Sequence, residues 1–254
     1  MAAQAVFDFH TRLVPGPDPT AALLGVLDRS GVDRAAVCAG GMISLDRLAE
    51  QIMVGGHSTQ DADNEGVLVA CQGTSGRLVP FFFGNPHTDP AEYRALAADF
   101  RGIEISPAVH GVPLTDDRVL GLVEIAAEFS HVVYVVCIGR EGCGAEQLVA
   151  LADKFPEVPF VLGHCGFIGI DAYSVNVIAD RPSISVETSG AYSILAATAV
   201  RRLGPQRVLY GSEFPVSHPE VELAKLRVLD LDPVAQRQIL WSNAHRLLGE
   251  ETSA

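Results

Sequence analysis

Several short apolar blocks in this chain end on side chains that can do chemistry. The first closes on Asp8-Phe9-His10-Thr11-Arg12, the fifth on Val136-Cys137, the sixth on Gly163-His164-Cys165 and the eighth on Ser212-Glu213-Phe214. The fourth carries Glu104 and Ser106, and the seventh carries Glu187 with Ser189 just beyond it. Two imidazoles, a thiol and a carboxylate brought to one rim form a donor set for a single cation. Zinc accepts all three ligand types, and two His with a carboxylate commonly leave one position open for water. The expected ligands are therefore His10, His164 and Glu213, with Cys137 the candidate fourth, although a free Cys is commonly a small buried hydrophobe. Glu213 and His164 double as candidates for proton transfer. Glu104 is costly to bury unpaired, so it either faces the pocket or pairs with Arg12. Arg12, Glu104, Glu187, His110 and His218 are the candidates for substrate binding. The remaining His57, His87 and His131 read as solvated or capping residues.

These side chains need elements to carry them. Strands are predicted at 5–10, 35–40, 78–84, 102–106, 132–138, 159–164, 184–189 and 208–213, because near-continuous apolar runs of this length suit strands buried on both faces of a parallel sheet. Helical periodicity lies between them, at 20–29, 116–129 and 144–155. Asp89-Pro90 and Asp232-Pro233 look like helix starts, and the last helix spans 239–248. Eight strands alternating with helices over 254 residues match a single closed (β/α)8 TIM barrel. A doubly wound open sheet is the rival, but the turn after His10 (Thr11-Arg12-Leu13-Val14-Pro15) lacks the glycines of a dinucleotide fingerprint. In a barrel the working residues sit at the C-terminal strand ends, where the polar groups above fall. The widest gap, 41–77, contains Gly55-Gly56-His57-Ser58-Thr59, expected as a mobile loop near the mouth.

Composition narrows the remaining classes. A formal charge of −13, with no Lys/Arg cluster, argues against a nucleic-acid partner. No apolar run approaches the roughly 20 residues of a membrane-spanning helix, and the first residues lack the basic and apolar regions of a signal peptide. Five cysteines without framework spacing suit a reduced, cytoplasmic setting. No break in composition divides 1–254, so one domain is expected.

Taken in order, these motifs resemble the amidohydrolase-related branch of the amidohydrolase superfamily, which includes aminocarboxymuconate-semialdehyde decarboxylase-like enzymes. The likeness runs from about Val6 to Gly249. It rests on Asp8-x-His10, Arg77 to His87, Arg101 to Pro107, Gly163-His164-Cys165-Gly166, Gly211-Ser212-Glu213-Phe214-Pro215 and Asn243-Ala244-His245-Arg246-Leu247. The resemblance implies a distorted barrel, a divalent metal, a small-molecule substrate and a homodimer. This chain also departs from the family pattern. Arg12 stands where the family usually has the second His of strand one, and Cys137 where it usually has the His of strand five. Glu213 replaces the Asp of strand eight, and Glu104 a frequent Lys of strand four.

Three readings follow. In the first, metal-activated water attacks the carbonyl carbon of an amide, lactone or cyclic C–N/C–O bond, with zinc the expected ion. In the second the site works without metal, as a lactonase whose Arg12 anchors an anionic substrate; a decarboxylase variant of the first reading ranks below hydrolysis. In the third the barrel is an idle binding or assembly subunit, which predicts His10, His164 and Glu213 more than about 6 Å apart, too far to share one ion.

Overall fold

Blocks such as Val132-Val133-Tyr134-Val135 and Phe160-Val161-Leu162 have no polar edge to show water, and every residue in them is buried. The computed structural model describes residues 4–250 and turns these blocks into eight strands. They are β1 (Phe7–Leu13), β2 (Arg34–Ala39), β3 (Leu78–Gly84), β4 (Gly102–Ile105), β5 (Val132–Val135), β6 (Phe160–Leu162), β7 (Ile184–Glu187) and β8 (Val208–Leu209). Each pairs in parallel with the next in sequence order. The ring closes where Phe9 N donates to Tyr210 O at 2.9 Å, Glu213 N to His10 O at 2.7 Å and Arg12 N to Phe214 O at 2.9 Å. The architecture is the expected TIM barrel.

Two apolar layers hold it. Inside the barrel, Phe7, Phe9, Phe81, Phe83, Val132, Tyr134, Val161 and Leu209 pack together. Outside, Val37, Ile103, Val133, Val135, Phe160 and Val186 meet helical residues such as Leu27, Val123, Leu148 and Ala196. The helices Pro19–Ser30, Asp117–Glu128 and Ala145–Lys154 lie close to their predicted limits. Asp18, Asp116 and Asp232 cap helix starts by accepting from Ala21 N, Arg118 N and Ala235 N. No described helix is long and apolar enough to cross a membrane.

Several expectations change, and β5 to β8 stop short of their predicted ends. β1 runs on through Arg12 to Leu13, past the predicted end at His10, and its register against β2 shifts between Asp8 and Thr11. That bulge moves the inward-facing set: Phe7 and Phe9 pack in the interior layer, whereas Leu13 packs in the outer one. His10 and Arg12 therefore both reach the barrel mouth. The predicted last helix is a wide turn at Gln238–Ser242 followed by Asn243–Leu247. The 41–77 gap folds helices Leu45–Met53 and Asn64–Cys71, and the stretch between them is fastened down. Ser58 N donates to Val109 O at 2.8 Å, and Arg140 donates to Gly56 O at 3.1 Å and Gln51 O at 2.7 Å.

Candidate active site

The mouth is built around one buried carboxylate from β4. Glu104 has no exposed surface, and Arg12 clamps it with Nη1 to Oε2 at 3.0 Å and Nη2 to Oε1 at 2.8 Å. His10 Nε2 meets the same Oε2 at 3.1 Å. Burial would raise the Glu104 carboxyl, but Arg12 and His10 overcome it and hold the group far below the usual carboxylate range. An ionised carboxylate only accepts, so His10 Nε2 carries a proton and Nδ1 is the nitrogen turned away from Glu104. That Nδ1 is buried and has no hydrogen-bond partner among the described residues.

A second buried carboxylate, Glu187 of β7, organises the opposite side. Its Oε2 accepts from Tyr134 Oη at 2.7 Å, Ser189 Oγ at 2.8 Å and His164 N at 3.3 Å, and its Oε1 accepts from Ser189 N. Burial again opposes ionisation, and His164, His10, the Ser189 N–H and the Tyr134 hydroxyl pull the carboxyl below its ordinary value. Because the Ser189 hydroxyl proton goes to Glu187, its oxygen accepts from His164 Nδ1, 2.8 Å away. Nε2 of His164 is left with its lone pair.

The backbone at these positions is unusual. His164, Cys165 and Glu213 have φ of 58°, 52° and 51°, in the left-handed region that non-glycine residues seldom occupy. Gly163 precedes the first two, and a Cβ there would sit 2.6 Å from Tyr134 Oη. Glu213 is set against β1 through its own N–H. Asp8 ties the same two strands, its Oδ1 accepting from Ser212 N at 2.9 Å and His10 N at 3.2 Å. Burial pushes the Asp8 carboxyl up to about 7 despite the Ser212 and His10 hydrogen bonds.

His10, His164 and Glu213 each offer a donor atom, and these atoms lie within 4.8 Å of one another. That is closer than an idle barrel predicts. Within this network Arg12 is the one guanidinium beside three carboxylates, Glu104, Glu187 and Glu213. Two imidazoles and a carboxylate with donor atoms this close form a set that fits one divalent cation.

The other predicted site residues fall elsewhere. Cys137 lies outside the donor group and packs in the outer apolar layer, where burial pushes its thiol well up and keeps it protonated. Glu104 and Glu187 sit in the site but are wholly buried, so both position other groups. Arg12, the expected substrate anchor, is paired with Glu104. His110 is buried with Nδ1 on Ser58 O at 2.9 Å. His218 is exposed and caps helix Pro219–Arg227, accepting from Glu220 N at 3.3 Å. Among the residues expected to be solvated, His57 is exposed, but His131 is buried against Tyr93 Oη at 2.5 Å. Sequence reasoning gave Tyr134 no role. Its signal was there, because a lone hydroxyl in an oily strand needs a polar partner.

A family model described as amidohydrolase matches residues 7–249. No curated protein matches the chain. Among solved structures it is similar to 5-carboxyvanillate decarboxylase from Sphingomonas paucimobilis, with 14% identity and a TM-score of 0.71 over 98% of this chain and 100% of that one. The 5-carboxyvanillate decarboxylase from Novosphingobium aromaticivorans, complexed with manganese and 4-hydroxy-3-methoxy-5-nitrobenzoic acid, has 15% identity and a TM-score of 0.69 over 97% and 96%. A probable 2-pyrone-4,6-dicarboxylic acid hydrolase from Acinetobacter baumannii, with citric acid bound, also has 15% identity and a TM-score of 0.69, over 96% and 99%. At such identities the likeness establishes the barrel and leaves the reaction to the site.

Proposed function

We propose, from the premise that the chain belongs to the amidohydrolase family, that its barrel mouth hydrolyses a carbonyl-centred bond of a small molecule. The bond is an amide, a lactone or a cyclic C–N or C–O bond, and His10, His164 and Glu213 would hold one divalent ion beside it. The observation that carries this reading is the donor group itself, three atoms within 4.8 Å of one another at the barrel mouth. When bound, such an ion polarises a carbonyl and acidifies water.

The chain's own residues supply the rest. Glu213, partly open to solvent, takes the proton of the attacking water and returns it to the leaving group. His164, with Nδ1 3.5 Å from a Glu213 oxygen, is held by Ser189 so that Nε2 presents a lone pair. Glu104 and Arg12 cancel each other and fix His10. The case for an anionic substrate rests on Arg12, which is paired with Glu104 and partly exposed, so a substrate anion there would share the guanidinium with Glu104. A metal-free lactonase anchored by Arg12 would share its anchor in the same way. Zinc remains the first choice because two imidazoles and a carboxylate form one of its common catalytic sets. Manganese, present in the Novosphingobium structure, is the ion to compare with it. A cytoplasmic homodimer remains part of this reading.

The test is metal analysis of protein purified without added metal, joined to turnover of a panel of lactones, cyclic amides and carboxylated aromatics. About one equivalent of metal, and activity lost to a chelator and restored by zinc or manganese, is the expected result. Activity that persists undiminished in metal-free protein would overturn it. Release of carbon dioxide from the aromatics, without lactone or amide cleavage, would move the chemistry to decarboxylation.

A further inference from the structure

Tyr134 touches both imidazoles of the donor group at once. Its ring lies flat on His10, with centroids 4.2 Å apart and planes 7° from parallel. It meets His164 edge-on, at 6.0 Å and 77°. Its hydroxyl donates to Glu187 Oε2 at 2.7 Å, the atom that also accepts from His164 N and from Ser189 Oγ. One side chain on β5 thus fixes the plane of the β1 imidazole by stacking. Through Glu187 and Ser189 it also fixes the orientation of the imidazole that follows β6.

The surroundings are shaped for the hydroxyl as well as the ring. Residue 163 is glycine, and a Cβ there would fall 2.6 Å from Tyr134 Oη. Tyr134 is fully buried. Burial and the carboxylates Glu187, Glu213 and Glu104 keep the phenol protonated, hence a donor. A Cβ at 163 would also fall 2.7 Å from the ring atoms Cε1 and Cζ, so the glycine makes room for the whole ring edge, and the hydroxyl is what goes beyond filling the barrel.

We infer that Tyr134 is a positioning residue for the cation-binding group, setting the two imidazoles relative to each other through a stack on one side and the Glu187–Ser189 relay on the other. This rests on the metal reading above. Partners of this kind, one shell out from the ligands, typically change metal affinity by about 10- to 100-fold when removed. Tyr134→Phe keeps the stack and the volume and removes only the hydroxyl, so its effect is placed at roughly 10-fold. Ser189→Ala cuts the relay at its other end. Because both act through Glu187, the double variant loses less than the product of the single losses.

The experiment is titration of the metal-free wild type, Tyr134→Phe, Ser189→Ala and the double variant with zinc against a chromophoric chelator. Visible absorption spectra of the cobalt-loaded forms report ligand geometry. The inference expects weaker zinc binding in each single variant, a changed cobalt band, and thermal midpoints of the metal-free proteins that stay near wild type. Wild-type affinity and an unchanged cobalt band in Tyr134→Phe overturn the inference and leave the metal reading standing. Absence of zinc binding in the wild type overturns the metal reading and takes the inference with it.

Discussion

Glu104→Gln is the sharpest probe of how the mouth is held together. The change keeps size and one acceptor oxygen but removes the charge that Arg12 grips at 2.8 and 3.0 Å. Two unit charges about 4 Å apart attract by about 4 kcal/mol at an effective dielectric near 20. Breaking a buried pair from one side costs about 3–5 kcal/mol in practice, because the remaining charge stays buried. The amide also brings an NH2 group towards donors on Arg12 and His10, so at least one loses its acceptor. We expect Glu104→Gln to lower stability by about 3–5 kcal/mol and the thermal midpoint by about 10 °C for a chain of this size. Arg12→Met with Glu104→Gln removes both charges, and the double variant should recover most of the loss, with a coupling energy of at least about 2 kcal/mol. Urea unfolding of the parent, both single variants and the double variant gives the cycle. A Glu104→Gln protein within about 1 kcal/mol of the parent, or losses that simply add, would refute the reasoning that Arg12 serves Glu104.

Other perturbations test separate parts of the structure. Gly163→Ala forces a methyl against Tyr134 Oη and should cost about 1–3 kcal/mol by urea unfolding while weakening zinc binding; a neutral result would mean the contact yields easily. Cys137→Ala should leave metal stoichiometry and affinity unchanged, because its sulfur lies outside the donor group; loss of metal would return it to the ligand set. His131 is the pH-sensitive element away from the site. Burial lowers its pKa from 6.5 to about 4, so between those values the unfolded chain takes up a proton that the folded chain refuses. Its contribution is fully present above about pH 6.5 and is lost as pH falls towards 4, by roughly 2–3 kcal/mol. Urea midpoints at pH 7 and pH 5 should show a shallower pH dependence in His131→Phe than in the parent, and identical slopes would remove His131 from the account.

The strands were legible because each is a run such as Val132–Val135 that cannot face water. The helix start at Asp232-Pro233 was legible because Asp caps and Pro suits the first turn, whereas the helix after Asp89-Pro90 begins at Ala91, with Pro90 in the cap position and no side-chain cap from that residue. His10, His164 and Glu213 were legible because charged or titratable groups at the ends of oily strands are expensive unless used. What could not be read depended on register and on partners distant in sequence. The bulge between Asp8 and Thr11 leaves no mark on the alternation of Phe7 to Leu13, yet it brings Arg12 to the mouth. Glu104 had two outcomes, pocket or pair, and only the geometry that sets it against Arg12, 92 residues away, chooses between them. His131 looked like a surface residue at a strand start because its partner, Tyr93, lies 38 residues earlier.

The departures at positions 12 and 104 make more sense together than apart. The resemblance implies a neutral His on strand one and often a Lys on strand four; this chain has Arg12 and Glu104 there instead. Taken singly, each looks like damage to a metal site, because a guanidinium repels a cation and a carboxylate replaces a cationic side chain. Taken together they form one bidentate pair with a net charge of zero, and Oε2 of the carboxylate has a lone pair to spare for His10 Nε2. The cation has moved across the barrel mouth from strand four to strand one, and it sits where its partner cancels it. What is left uncancelled is Glu187, occupied in orienting His164, and Glu213, partly open to solvent. An idle barrel has little reason to keep two oriented imidazoles around a buried Glu187, since a buried carboxylate costs stability without a counter-charge. A divalent ion held by His10, His164 and Glu213 would supply that counter-charge, and on the proposed metal reading the altered residues are a rebuilt site rather than a lost one.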